Sequence, residues 1–304
     1  MDLRQINQFL AVAETLSFRK AAERLHMAQP PLSMAIRRIE VAIGAPLFKR
    51  GRRGVTLTEV GAAILADARR VAFQAEQLRR ATATAVAGDS GVLRVAFVGS
   101  ATYTLLPRSL PPFREQYPQL SLELKEGTTT QALRDLEAGT LDLGLVRYPV
   151  FEPCTAALEV VEEDVLMIVL RAGSPLARRR RLSLNDLAHE PFVMYAAAAA
   201  ANLRGQVMML CQAAGFTPHV VQEAVQVQTI VSLVESGLGI ALVPSRASCH
   251  APAGVVFRHV TPESPLLSVA IALASRPEMR TQAAARFREL LLDQARTAAA
   301  QRPR

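Results

Sequence analysis

The chain is poor in cysteine and has no pairing pattern for what it holds. Cys154, Cys211 and Cys249 are the three among 304 residues. An odd number, widely spaced and without a CxxC pair, argues against a disulfide framework and a thiolate zinc site and predicts a reduced, cytoplasmic protein. Long hydrophobic runs are lacking too. The longest stretches without a charged side chain, such as 205–222, are broken by Gln, Gly, Pro and His, so no membrane span and no membrane partner are expected. The N-terminal MDLRQINQFLAVAE carries acids and amides and no small-residue cleavage site, which predicts no signal peptide. No GxSxG elbow, HExxH pair or phosphate loop occurs, and Gly237-Leu238-Gly239 follows a helix pattern where a dinucleotide motif would follow a strand. His26, His189, His219, His250 and His259 have no metal-ligand spacing. No enzyme, no metal and no cofactor are therefore expected.

What is present fits two or three domains: half of the residues are hydrophobic and a fifth charged, over a length beyond a single usual core. The formal net charge of +8 is unevenly spread. Residues 1–87 hold 14 Lys and Arg against 7 Asp and Glu, whereas the remaining 217 residues hold 21 against 20. An excess confined to one end predicts that this end meets a polyanion, a nucleic acid ahead of a merely solvated basic surface, and the helices described next narrow that partner to double-stranded DNA.

The first 58 residues carry helical spacing. Leu3, Ile6, Phe9, Leu10 and Ala13 predict a helix over 3–15, and Ser17 an N-cap for FRKAAERL. Gln29-Pro30-Pro31 then starts a third helix, because the first-turn amides have no intrahelical carbonyl to bind. Its apolar stripe is Leu32, Ala35, Ile36, Ile39 and Ile43, and Gly44 with Pro46 ends it. Gln29, Pro30, Pro31, Ser33, Met34 and Arg37 fall on the exposed side and first turns. That layout is a helix-turn-helix whose third helix enters the major groove by its N-terminus. Residues 47–57, with Gly-Arg-Arg-Gly between two short apolar strands, read as a wing presenting Arg52 and Arg53 to phosphates or a narrow minor groove. Thr58 caps a long helix over 59–87, where Leu57, Ile64, Val71, Leu78 and Ala85 recur every seven residues beside Gly61, Ala68, Ala75 and Thr82, with Arg69, Arg70, Arg79 and Arg80 outside. This seam predicts a homodimer, and so an inverted-repeat target.

The stretch FLAVAETLSFRKAAERLHMAQPPLSMAIRRIEVAIGAPLFKRGRRGVTLTEVG resembles the winged helix-turn-helix of the LysR-type transcriptional regulators, and the resemblance extends over the whole chain. It implies that the residues at Gln29, Pro30 and Ser33 touch DNA in the major groove, that Arg52 and Arg53 support the wing, and that RNA polymerase is a further partner. Met34 departs from the arginine or polar residue of many relatives.

After residues 88–91 strands alternate with helices. VLRVAFVG, a helix opened at Ser100, LSLELKEG, a helix opened by the threonines of TTTQALRDLEAG, and LDLGLVR form a βαβαβ order, hence a parallel sheet. VEEDVLMIVL begins a second unit with PFVMY, TPHVVQEAV, VQVQTIVSLVESG and LGIALVP, before LLSVAIALAS and a final helix over 277–298.

The fold class expected is therefore α/β: a winged helix-turn-helix (1–58), a linker and dimerisation helix (59–88) and an effector-binding domain (91–304). The resemblance implies two subdomains like those of type 2 periplasmic binding proteins, about 91–162 with 266–304 and about 163–265. It implies a cleft lined by Gly99, Ser100, Thr102, Thr128, Thr129, Tyr195 to Ala201 (Ala197 among them), Val227 and Gln228, suited to a carboxylate on an apolar body. Arg147 either pairs with that carboxylate or bridges structural acids. The six alanines of 196–201 are either a roomy loop at the cleft or the start of a helix, and Arg178 to Arg181 a solvated loop or a second DNA contact. GTTTQALRDLEAGTLDLGLVRYPV resembles regulators of aromatic-acid, hydroxycinnamate and muconate catabolism, which suggests an aromatic or dienoic acid as effector. A homotetramer is common in the family. The competing expectation is an architectural DNA-binding protein that responds to no ligand.

Overall fold

The computed structural model describes residues 1–51, 54–87, 91–278 and 281–300. The chain divides into two compact units, residues 1–89 with 138–140 and a larger unit of the other residues from 90 onward.

In the first unit, α1 (Leu3–Thr15) starts at a capping box: the Asp2 carboxylate accepts from Gln5 N at 2.8 Å and the Gln5 side chain accepts from Asp2 N at 2.9 Å. Ser17 caps α2 (Phe18–Arg24), and α3 (Gln29–Ile43) begins at the residue where the proline pair predicted it. Leu32, Ile36 and Ile39 are buried against α1 and α2. Ile43 departs from the expected stripe and is exposed, since Gly44 turns the chain away at φ +82° before anything covers that last turn.

The wing is a hairpin of β1 (Phe48–Gly51) and β2 (Gly54–Leu57), antiparallel with Phe48 opposite Leu57. Phe48 closes the core from above, its ring 5.5 Å from that of Phe9 and 5.9 Å from that of Phe18. A carboxylate fixes the hairpin to α3: Glu40 Oε1 accepts from Leu47 N at 2.8 Å and Phe48 N at 3.2 Å. Below the hairpin, α4 (Glu59–Ala87) opens at Thr58, whose hydroxyl accepts from Gly61 N at 3.0 Å and donates to Pro46 O at 2.7 Å. Gly61 is required by closeness, because a Cβ there would overlap the Leu47 carbonyl oxygen. The helix has 29 residues, a rod of about 43 Å. Its first half packs Ile64, Leu65, Ala68 and Ala72 on its own core, while Val71 and Leu78 of the expected seam face outward. The side chains of Arg80, Thr82 and Ala85 lie outside the described residues.

The second unit begins with β3 (Gly91–Phe97), which pairs in parallel with β4 (Leu120–Glu126) and β5 (Leu143–Tyr148). The helix expected from Ser100 is two pieces, a short 3-10 turn (Gly99–Thr102) and α5 (Leu105–Gln116). Thr104 leaves helical geometry between them and donates its hydroxyl to Glu162 at 2.7 Å. With α6 (Thr129–Glu137) crossing between β4 and β5, the βαβαβ order is as expected.

The long strand β6 (Ala157–Arg171) passes from one half of this unit to the other. There β7 (Arg181–Leu182), β8 (Pro191–Tyr195), α7 (Ala201–Ala213), β9 (His219–Ala224), α8 (Val227–Glu235), β10 (Ala241–Pro244) and β11 (Val255–Val260) build a second core. The chain returns by β12 (Ser268–Ser275) and ends in α9 (Gln282–Ala300). The latter begins later than the expected residue 277 because Thr281 supplies the cap, its hydroxyl accepting from Ala284 N at 3.2 Å.

The sheet order β4-β3-β5-β12-β6-β11-β7 is continuous through both halves, with β10 also on β6. Residues 157–165 of β6 pair with β12, and 166–171 with β10 and β11. The register slips once at Val161, where Ile271 faces Glu162 and Ala272 faces Val160, a β-bulge. In the first half α5 and α9 cover one sheet face around Phe113 and Phe287, and α6 the other around Leu133, Leu136 and Val146. The fold is thus a winged helix-turn-helix with a long helix, followed by an α/β unit of two subdomains joined by a double crossover.

Candidate functional site

Two regions hold the predicted residues. On α3, burial of Leu32, Ile36 and Ile39 leaves the opposite face to solvent. Gln29, Pro30, Pro31, Met34 and Arg37 are exposed there, and Ser33 is half-buried. Met34 is 57% exposed, unusual for so apolar a side chain. Arg37 and Arg38 make no ion pair among the described residues, so both charges are open to a partner. Pro30 and Pro31 occupy first-turn positions of a helix whose N-cap, Ala28, gives no side-chain hydrogen bond. The face therefore offers an amide, a hydroxyl, a flexible apolar chain and two guanidinium groups, with a helix N-terminus at its leading end. Such a set can touch both base edges and phosphates. Arg52 and Arg53 lie outside the described residues.

The second region is a cavity of about 40 Å³ between the two subdomains of the larger unit. Gly99, Ser100, Thr128, Thr129, Arg147 and Val227 line it, as do Gly127, Ala199, Ala200, Asn202, Leu203 and Gln226. Arg147, at the end of β5, is 4% exposed. Its side chain donates to the Ser100 hydroxyl and its backbone N–H donates to Thr129 Oγ1 at 3.0 Å. It forms no ion pair among the described residues. The nearby carboxylates are otherwise held, Glu162 by Thr104 and Asp164 by Ser245 and Arg246. Burial accordingly pushes the Arg147 guanidinium down from its ordinary value, with Tyr195, Asp164 and Glu162 opposing.

Two helix N-termini reach the same cavity. Neither α7, through Ala200, nor α8, through Gln226, has a side-chain cap, so their first N–H groups keep hydrogen-bonding capacity. Together with the buried cation they make an environment for an anion. Asn202, 4% exposed, ties the subdomains by donating Nδ2 to Pro149 O at 2.7 Å.

Four predicted residues lie elsewhere. The Thr102 hydroxyl turns back to donate to Gly99 O at 2.6 Å. Tyr195 is buried in the core and donates its hydroxyl to Leu242 O at 3.2 Å, and the same burial raises its pKa. Ala197 sits exposed on the turn before α7, and Gln228 points outward from the first turn of α8. The residues the sequence did not single out, Asn202 and Gln226, flank helix starts, and only that position signalled them. Of the alanine run, Ala199 and Ala200 line the cavity and Ala201 begins α7. In the basic run Arg179 pairs with Asp186 at 2.8 Å.

Comparison with known proteins agrees with this layout. Residues 3–62 match the family of bacterial regulatory helix-turn-helix proteins, lysR family, and residues 87–296 match the LysR substrate binding domain. The HTH-type transcriptional regulator AlsR of Bacillus subtilis is 35% identical over 247 residues, 81% of this chain and 82% of that protein. The Hca operon transcriptional activator HcaR of Escherichia coli is 35% identical over 272 residues, 90% and 91% of the two chains. Among solved structures, full-length CbnR bound to its target DNA matches with TM-score 0.74 and 25% identity over 97% of this chain and 100% of that one. Full-length BenM matches with TM-score 0.60 and 28% identity over 99% and 97%. These relatives are regulators and not enzymes. With a helix-turn-helix matching one end and a substrate-binding domain matching the rest, the chain belongs to the LysR family of DNA-binding transcriptional regulators with an effector-binding domain.

Proposed function

We propose that the protein is an effector-controlled regulator that binds an inverted-repeat promoter site as a homodimer, assembled further into a homotetramer, in the cytoplasm. Residues 1–58 hold the DNA, 59–88 pair the protomers, and 91–304 sense the effector, with 91–162 and 266–304 facing 163–265. Gln29, Pro30, Pro31, Ser33, Met34 and Arg37 read the major groove while Arg52 and Arg53 of the wing follow the backbone. RNA polymerase is the partner through which the bound protein alters transcription.

The effector is a small carboxylate. The observation that carries this reading is Arg147, a buried guanidinium without an ion-pair partner among the described residues, set in a cavity beside two uncapped helix N-termini. Ser100, Thr128, Thr129 and the first turns of α7 and α8 supply donors around it. An aromatic or dienoic acid is the class that the resemblance suggests for it. Binding of the acid shifts the angle between the subdomains and, through it, how the dimer holds its site. Footprinting of the promoter with and without candidate acids tests the proposal. A ligand-dependent change in protected length or bending is expected, and an unchanged footprint with every acid would favour a ligand-independent architectural role.

A further inference from the structure

One large apolar side chain interrupts the polar face of α3. Met34 stands one turn past Pro30, beside Ser33 and one turn before Arg37, on the side of the helix away from the buried Leu32, Ile36 and Ile39. With 57% of it exposed, it lies largely outside the core of the first unit. Burial against a partner would remove that apolar area from water. The chemistry of the side chain limits what it can meet on DNA. Methionine has no hydrogen-bond donor and its sulfur is a weak acceptor. It therefore cannot pair with the N7 and O6 acceptors of guanine or with N7 of adenine. Pressed on such an edge it would strip water from a polar atom and return no hydrogen bond, which costs free energy. The C5-methyl group of thymine is the apolar feature that base pairs present in the major groove.

We infer that Met34 is a specificity-determining residue that packs on the C5-methyl group of a thymine, once in each half-site. The inference rests on the placement of α3 in the major groove proposed above and adds which base is read at this position. Val41 is 75% exposed on the same stripe, two turns further along and about 10 Å back from Met34 along the helix. It is withdrawn from the leading end that enters the groove, and it serves as an apolar control.

The test uses the full-length chain and duplexes that it selects from a random pool. Each thymidine of the selected site is replaced in turn by deoxyuridine, which removes the methyl group and keeps every hydrogen-bonding atom. At one position in each half-site the wild-type Kd is expected to rise about fourfold, the effect of one buried methyl group. Met34→Ala should bind the thymine duplex more weakly and no longer distinguish deoxyuridine there. Met34→Leu, which restores an apolar chain, should recover the distinction, and Val41→Ala should leave it intact. A deoxyuridine penalty at no position overturns the inference, as does a penalty that is equal in wild type and Met34→Ala at every position. In either case α3 keeps its place in the groove as long as Ser33→Ala or Arg37→Ala weakens specific binding. A chain that selects no sequence from the pool removes the groove reading and the inference with it.

Discussion

The Arg147 guanidinium donates to the Ser100 hydroxyl, which leaves the serine proton free to be given to an anion in the same cavity. Ser100→Ala removes both roles. The Kd for the bound carboxylate is expected to rise about tenfold, roughly 1.4 kcal/mol. Melting of the ligand-free protein should fall by a few degrees, because Arg147 loses an acceptor. Calorimetry on the variant decides this, and an unchanged Kd would remove Ser100 from the site.

On the DNA side, Ser33→Ala and Arg37→Ala should each weaken specific binding by roughly 1–3 kcal/mol and leave the circular dichroism unchanged. The expectation follows from a face of α3 on which Arg37 makes no ion pair among the described residues. Wild-type affinity in both variants would show that another face of the helix meets the DNA.

Gly61→Ala is expected to destabilise the first unit by about 1–3 kcal/mol, since the new methyl overlaps the Leu47 carbonyl where α4 passes under the wing. Thermal melting reads the loss. A neutral substitution would mean that the hairpin yields at no cost.

Val71 and Leu78 are 48% and 71% exposed on α4. Replacing both by glutamate should dissociate the dimer, seen by sedimentation, and weaken binding to a two-half-site DNA far more than to a single half-site. A variant that sediments as wild type would place the dimer contact off this seam.

Cys211 is fully buried on α7, and burial pushes its thiol from 9.0 up to about 11, whereas Cys249 is exposed. A folded-state value above the unfolded one favours the protonated thiol. Its contribution to stability is therefore complete below pH 9 and lost as pH rises from about 9 to about 11. Native protein at pH 8 should react with a disulfide reagent at Cys249 and not at Cys211, which mass mapping of the labelled peptides checks. Rapid labelling of Cys211 would contradict its burial.

The helices of the first unit were legible apart from Ile43, because helical period, Ser17, the proline pair and Gly44 all act within a few residues of where they stand. Glu40 was not, since its bonds to Leu47 N and Phe48 N depend on how the wing folds back on α3. The effector cavity was half legible. Glycines and hydroxyls at strand ends marked Ser100, Thr128 and Thr129, but Gln226 and Gln228 differ only in phase around one helix start. The buried face Val227, Ile230, Val231 and Val234 turns Gln228 outward and leaves Gln226 at the cavity. Tyr195 was drawn away by core packing that no local pattern announces. β7 and β11 were unread, as their pairing is settled by distant partners.

Because β6 runs unbroken through both subdomains, no free pivot separates them. A change of angle must flex a hydrogen-bonded ribbon, and its most compliant point is the extra residue at Val161. On the proposed reading, effector binding would therefore bend this ribbon rather than turn a hinge.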